Sequence, residues 1–381
     1  MRIVRLANFV APRSGGLRTA MRALGEGYLA AGYEPVLVVP GPSYADEYTE
    51  QGRVITLPGP VMPFSGGYRV LLNRHRLAAL LTDLAPDRLE VSDRTTLRWT
   101  GSWARRNGVP SVMVSHESVA GLLGLMGRIL SRPAARLADT LNSRTAKHYT
   151  RVVCTTDWAA AEFERLGAVN LVRVPLGVDL DLFSPERRSV AVRERFAGTD
   201  DVLLVHCGRL SVEKRPERSI DALAELRAAG IPAVLVVAGD GPLRARLARR
   251  AEGLPVVFTG FLHDRTGLAA LLASADAVLA PGPVETFGLA ALEALACGTP
   301  VVVSASSALP EVIGDAGFAV EGEDFAAGVK EVLGRPGAEL RAAARRRAQE
   351  FGWPAAVRGF LAAHGLATPA GVDLAPDRVA S

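Results

Sequence analysis

The sequence predicts an α/β chain of two doubly wound, Rossmann-like parallel-sheet domains, and three observations predict it. The 381 residues exceed one ordinary core and suit two domains of roughly 170 to 190 residues. Short continuous apolar runs, the mark of strands buried on both faces, alternate with helical patterns. The same strand–helix–strand grammar also occurs twice, once at the N-terminus and again past the middle of the chain.

Taken in order, "MRIVRLANF" reads as a first strand, "GGLRTAMRALGEGYLAAG" as a helix and "EPVLVVP" as a buried strand. "SVMVSH" and "RVVCTT" are further strands of this half. "VRVPLGVDLDLFSPERR" (172–188) ends a strand in proline, glycine and polar residues, which places the boundary. The second half opens with "DVLLVHCG", the helical "PERSIDALAELRAAG" and "AVLVVAG"; "PVVFTG", "AVLAP" and "PVVVS" follow as strands. The expected domains are 1–177 and 178–350, followed by a helix over 351–366 and a loose tail over 367–381. In such folds ligands gather at the carboxyl ends of the strands.

The composition is 49% hydrophobic and 22% charged, ordinary for a globular chain. No apolar run reaches the roughly 18 residues of a spanning helix. The opening "MRIVRLANFVAPRSGG" reads as strand and loop rather than as a secretory signal. Cys154, Cys207 and Cys297 are odd in number and widely spaced, which suits a reducing, cytoplasmic setting and no disulfide framework. Residues 1–179 carry 22 basic and 15 acidic residues, the remainder 22 and 25. A basic first half points to an anionic partner. With aromatics at 6% and no basic–aromatic interleaving, nucleic acid is not expected.

Two acids stand out in "PGPVETFGLAALEALACGTPVVVS" (281–304). Glu285 lies at the mouth of a strand–helix loop and Glu293 about two turns into the helix. Either each finds a buried partner, or they line a site for a hydroxyl-rich ligand, since a carboxylate accepts two hydrogen bonds from a vicinal diol. The amides of Phe287, Gly288 and Leu289 would be free at the helix start and available to an anion. "LVHCGRLSVEKRPERS" puts Arg209 and Lys214 on the first turn of the second domain, a fork and a point charge that suit a pyrophosphate. "VVAGDGPL" adds a glycine turn with Gly239, and "VVFTGFLHD" exposes main chain at Phe261 and Leu262 where a base could sit. In the first domain Gly15 and Gly16 allow close backbone approach at the first strand–helix turn, and His116 ends the strand "SVMVSH". "DLD" (Asp179–Asp181) has metal-binding spacing but reads as linker chemistry. No HExxH, CxxC, GxSxG or GKS/GKT motif occurs.

The set "SGGLRTA", "VSHE", "VPLGVD", "GRLSVEKRP", "AGDGPL", "FTGF" and "ETFGLAALEALACGTPVV" resembles the retaining glycosyltransferases of the GT-B fold, family 4, over nearly all of residues 1–365. "NFVAPRSGGLRTAMRALG", "PFSGGYR" and "LEVSDRTTLR" look like actinobacterial GDP-mannose-dependent α-mannosyltransferases of phosphatidylinositol mannoside assembly. The resemblance implies two domains facing across a cleft, with the C-terminal helix crossing back to the first. It implies a nucleotide-sugar donor, no metal or other cofactor, and a glycolipid or small glycoside acceptor. Arg209 and Lys214 match the diphosphate pair, Glu285 the acid on the transferred sugar, and Glu293 the acid on the ribose. His116 matches the histidine near the reacting carbon, and Gly15 and Gly16 the loop facing the diphosphate. With no obvious carboxylate nucleophile in these motifs, front-face substitution is expected, the leaving diphosphate taking the acceptor's proton.

Arg18, Tyr68, Arg69, Asp93 and Arg94 are expected acceptor contacts because they sit in first-domain loops. The stretch 121–149 mixes leucines with Arg128, Arg132, Arg136, Arg144 and Lys147. It suits either a core helix or a peripheral contact with an anionic inner leaflet. The rival readings are a UDP-sugar transferase with a different acceptor, a sugar-nucleotide epimerase and a hinged sugar-binding protein. Nucleotide release on turnover separates the transferases from the binder.

Overall fold

The computed structural model describes residues 1–10, 15–62, 67–116, 118 and 131–368. The chain divides into two compact units, Met1–Gly177 together with Trp353–Ser381, and Val178–Gly352. Of the expected tail, 369–381 lie outside the described residues, as do 121–130 of the leucine–arginine stretch.

The first unit carries strands β1 (Arg2–Leu6), β2 (Glu34–Gly41), β3 (Ala45–Thr49), β4 (Gly52–Pro58), β5 (Arg88–Val91), β6 (Ser111–Ser115), β7 (Arg151–Cys154) and β8 (Leu171–Arg173). Its helices are α1 (Gly16–Ala30), α2 (Arg74–Leu84), α3 (Trp99–Arg106), α4 (Ser131–His148) and α5 (Asp157–Glu164). The sheet order is β3-β4-β2-β1-β5-β6-β7-β8, parallel except for the antiparallel β3–β4 pair. At its centre Val4 of β1 lies opposite Val36 on one side and Leu89 on the other. These side chains join one core with Leu6, Val38 and Val91. The β3–β4 hairpin was not legible from apolar runs. Its outer strand, "ADEYT", is mostly exposed, and its charges protect an open sheet edge.

The terminal helix (Trp353–Ala363), which follows the second unit in the chain, packs on α1 within the first unit. The approach is close because Gly27 has no side chain. A Cβ there would lie 2.3 Å from Val357, and one on Gly359 2.5 Å from Val174. Val357, Phe360 and Leu361 are essentially fully buried, each contributing roughly 1.5–3 kcal/mol. Just beyond this helix, His364 joins a buried charge cluster. Glu90 accepts from Arg5 Nε (2.8 Å) and the Tyr28 hydroxyl (2.7 Å), and lies 3.1 Å from His364 Nε2. Burial alone would raise the Glu90 carboxyl. The Arg5 charge and the bonds from His364 and Tyr28 outweigh it and hold the group well below the usual carboxylate range.

The second unit has strands β9 (Val202–Cys207), β10 (Ala233–Ala238), β11 (Val256–Gly260), β12 (Ala277–Ala280), β13 (Val301–Ser304) and β14 (Gly317–Val320). Its helices are α6 (Val190–Phe196), α7 (Glu217–Ala228), α8 (Arg244–Arg250), α9 (Arg265–Ser274), α10 (Leu289–Ala296), α11 (Leu309–Ile313), α12 (Phe325–Leu333) and α13 (Gly337–Gln349), and the terminal helix of the first unit is α14. The order β11-β10-β9-β12-β13-β14 is wholly parallel. Sequence order therefore reverses between β9 and β12, and a doubly wound sheet opens its ligand crevice at such a point. In the first unit the equivalent reversal falls between β1 and β5.

Candidate functional site

The loops around the β9–β12 reversal are built on glycine. The Gly208 amide donates to the Ala238 carbonyl at 3.0 Å. A Cβ on Gly239 would lie 1.8 Å from the Gly208 oxygen, and one on Gly241 2.5 Å from the Leu210 oxygen. Gly239 also bridges Gly260. The turns after β9, β10 and β11 thus lie backbone to backbone, which gives "GDG" a structural use that its spacing did not reveal. Beyond Gly208, Arg209 is half-buried, and Lys214 ends a short 3-10 turn, Val212–Lys214. Lys214 Nζ donates to Glu285 Oε1, both side chains being partly exposed.

Two residues not anticipated from sequence position this pair. A Cβ on Gly282 would lie 3.0 Å from the Glu213 oxygen and 3.3 Å from Lys214 Cα, so glycine lets the β12 loop lie against the lysine turn. Arg218 donates to the Pro281 carbonyl (3.3 Å) and to Glu323 (2.7 Å), tying the start of α7 to the same loop. Beneath them, His206 is buried, with Nδ1 3.0 Å from Ser219 Oγ. Burial, helped by the Lys214 charge, lowers its pKa to about 4, so it is neutral at pH 7.

The Glu285 carbonyl accepts from Ala308 N at 2.9 Å, anchoring the loop from outside. Phe287 is buried, its ring 5.9 Å from that of Phe351. Gly288 has φ +77°, and a Cβ there would meet Leu309 at 2.2 Å, so both conformation and space require glycine. Leu289 begins α10, which no side chain caps. Glu293, 6% exposed, accepts from Arg265 at 2.7 Å. Burial raises its pKa and Arg265 opposes the rise. Each acid therefore has a cationic partner: Glu293 deep in its helix, Glu285 at the partly open crevice. Phe261 and Leu262 are half-buried after the edge strand β11, Phe261 packing edge-on to His263 at 4.8 Å. Asp179 accepts from the amides of Asp181 and Leu182, a turn-capping role.

In the first unit Gly15 caps α1 with open space where a side chain would be, and Gly16 and Arg18 are exposed in its first turn. His116 follows β6; burial lowers its pKa to about 4. Tyr68 is half-buried, packed edge-on to Phe9 at 5.9 Å, and Arg69 donates to the Gly59 carbonyl at 2.6 Å.

The expectation that Asp93 and Arg94 open toward a ligand is corrected. Asp93, 2% exposed, accepts from Asn8 Nδ2 (2.7 Å), from the amide and hydroxyl of Thr95, and from both of Thr96. Arg94, 3% exposed, lies 3.2 Å from Glu162 and over the Phe163 ring. Both have been drawn inward to tie loops together. Burial, then the charges of Arg144 and Arg74, lower the pKa of Arg98. On α4, Ala138, Asn142 and Thr145 face inward while Arg136, Arg144 and Lys147 are exposed.

Residues 15–177 match the family described as Glycosyl transferase 4-like domain, and residues 191–351 that described as Glycosyl transferases group 1. A "GDP-mannose-dependent alpha-(1-6)-phosphatidylinositol dimannoside mannosyltransferase" of Mycobacterium tuberculosis (strain ATCC 25177 / H37Ra) is 54% identical over 370 residues, 96% of each chain. The chain is a glycosyltransferase of this family. A D-inositol 3-phosphate glycosyltransferase of Actinosynnema mirum is 31% identical, covering 89% of this glycosyltransferase and 84% of the relative. Among solved structures, sucrose-phosphate synthase from Thermosynechococcus elongatus superposes with TM-score 0.75 at 20% identity, covering 93% and 96%. Anabaena Alr3699/HepE in complex with UDP-glucose gives 0.73 at 18%, covering 95% and 99%. These likenesses give the glycosyltransferase the GT-B fold. Among the described residues no helix is long and apolar enough to cross a membrane.

Proposed function

We propose that this glycosyltransferase moves mannose from GDP-mannose onto a phosphatidylinositol dimannoside, forming an α linkage with retention at the anomeric carbon. The observation that carries the reading is the 54% identity, over 96% of both chains, to the mycobacterial enzyme of that description. The chemistry of the β9–β12 crevice supports it. Without donor, Lys214 and Glu285 neutralise each other. A diphosphate would draw Lys214 and Arg209 to itself and leave the Glu285 carboxylate for the sugar hydroxyls. The uncapped start of α10 supplies amides at Phe287, Gly288 and Leu289 for the charge that grows as the diphosphate leaves. Glu293 would hold the ribose by exchanging part of its Arg265 contact for a diol. Gly239, Phe261 and Leu262 line the nucleotide's path.

The first unit supplies a further set, Gly15, Gly16 and a neutral His116, with the acceptor met by Arg18, Tyr68 and Arg69. No metal is assigned a part, because cationic side chains and helix amides meet the leaving charge. The glycosyltransferase acts on its lipid as a peripheral protein at the inner membrane face, its basic first half turned to anionic lipid. The test is to incubate the purified protein with GDP-mannose and phosphatidylinositol dimannoside, and to measure GDP release and lipid mass. GDP release with a gain of one hexose supports the reading. Release from UDP-sugars alone overturns the donor assignment, and release with no change in lipid mass overturns the acceptor.

A further inference from the structure

Glu293 lies in the second turn of α10 and accepts from Arg265 Nη2 through Oε1 at 2.7 Å. Its other oxygen, Oε2, accepts no hydrogen bond among the described residues, yet it is not sealed from solvent. A nearly buried carboxylate with one open oxygen is costly unless a polar group meets it. A ribose diol can do so: one hydroxyl donates to Oε2, and the other shares Oε1 with Arg265, since each oxygen has two lone pairs.

Three features hold Arg265 in place. It opens α9, where Asp264 caps the helix by accepting from Thr266 N at 2.9 Å. A Cβ on Gly267 would lie 2.6 Å from Asp264 Oδ2, so glycine lets the capping carboxylate fold onto this turn. The Arg265 guanidinium lies over the ring of the fully buried Phe183, 4.8 Å from its centroid. A fork stacked on a ring and bonded to one oxygen fixes the direction of the other oxygen. The Arg265 side chain is still 38% exposed, so the pair is not closed off.

The groups facing Glu293 are Arg265 on α9, Asp179 ahead of α6, Cys207 at the end of β9 and Cys297 after α10. Burial pushes both thiols up to about 12, so neither brings charge at neutral pH. Burial, and more weakly the Asp179 charge, raise the Glu293 carboxyl, and Arg265 opposes both.

We propose that Arg265 is a positioning residue for the nucleotide ribose: it pins Glu293 through Oε1 and presents Oε2 to the ribose hydroxyls. The inference rests on the nucleotide-sugar reading of the crevice. It does not rest on the choice of base, because GDP and UDP share the ribose.

The test is calorimetry on the full chain, comparing GDP and UDP with their 2′,3′-dideoxy counterparts from pH 5 to 9. The ratio of affinities is the readout, because titration of the diphosphate and any unfolded fraction cancel in it. In the parent protein the ribose form should bind about tenfold or more tightly than the dideoxy form. That advantage should fade as falling pH protonates Glu293. Arg265→Gln keeps a donor but removes the charge, so the midpoint of the fading should move up by about one pH unit or more. Arg265→Lys keeps the charge and should stay near the parent. An unmoved midpoint in Arg265→Gln, or a shift in Arg265→Lys as large as that in Arg265→Gln, would overturn the role of Arg265 and leave Glu293 on the ribose. No ribose preference in the parent with either nucleotide would overturn both assignments, whereas turnover of GDP-mannose, measured separately, would keep the transferase reading.

Discussion

The two sheets reverse in the same way, yet the two reversal points spend their polar residues differently. At β1–β5 the carboxylate Asp93 is buried and consumed by Asn8, Thr95 and Thr96. At β9–β12 the carboxylate Glu285 is partly exposed and paired with a more accessible Lys214. One reversal uses charge to fix loops. The other lets glycine fix the loops, at Gly239, Gly282 and Gly288, and leaves its charges exchangeable. Topology alone therefore does not say which crevice carries the chemistry; the exposure of the polar groups does.

The largest expected effect tests the first half of that contrast. Glu90, at the end of β5, is a buried ion with three partners. Glu90→Ala leaves Arg5 buried and unpaired and should cost about 3–5 kcal/mol by urea unfolding. Its depressed pKa means that its stabilisation is complete above the ordinary value near 4.5 and is lost as pH falls below it. An unchanged unfolding midpoint would end the view of this region as scaffold.

Next, Glu285→Ala should reduce nucleotide release by about 10²–10³-fold. Its melting temperature should change little, since a partly exposed ion pair contributes about 1 kcal/mol or less. A matching loss of stability would make Glu285 another scaffold acid and erase the contrast. Asp93→Ala sharpens it from the other side. Removing the shared acceptor should cost about 1–3 kcal/mol, and the folded fraction should keep its KM for the lipid acceptor. A raised KM at full stability would restore Asp93 as an acceptor contact.

The smallest effect is shared by both units. His116 and His206 are each neutral in the fold, with pKa values of about 4 against 6.5. Both therefore favour the fold above pH 6.5, and that contribution declines as pH falls from 6.5 toward 4. His206→Gln should flatten part of that decline in a melting series across this range. An equally steep decline would exclude His206 as its source.

Much of this was legible in the sequence, for identifiable reasons. β1, β2, β9 and β10 are buried on both faces, so their continuous apolar runs announce them. Lys214, Glu285 and Glu293 lie in short contiguous motifs at strand ends. β5 was harder to read, because "RLEV" carries in Glu90 a charge whose partners, Tyr28 and His364, lie far off in the chain. Asp93 looked like a loop acid because nothing local shows Asn8 folding over it. Gly282 and Arg218 escaped notice for the same reason: each acts on a segment more than sixty residues away. Local pattern reported where charged residues sit along the chain. Only the fold reported which of them were already occupied.

The central claim is that Glu285 and Lys214 trade partners when donor binds, and equilibrium binding of GDP and GDP-mannose to Glu285→Ala tests it most directly. GDP affinity should hold or rise, because Lys214 is released, while the advantage of GDP-mannose over GDP disappears. An equal loss of affinity for both ligands would contradict the account and reduce Glu285 to a support for the lysine turn.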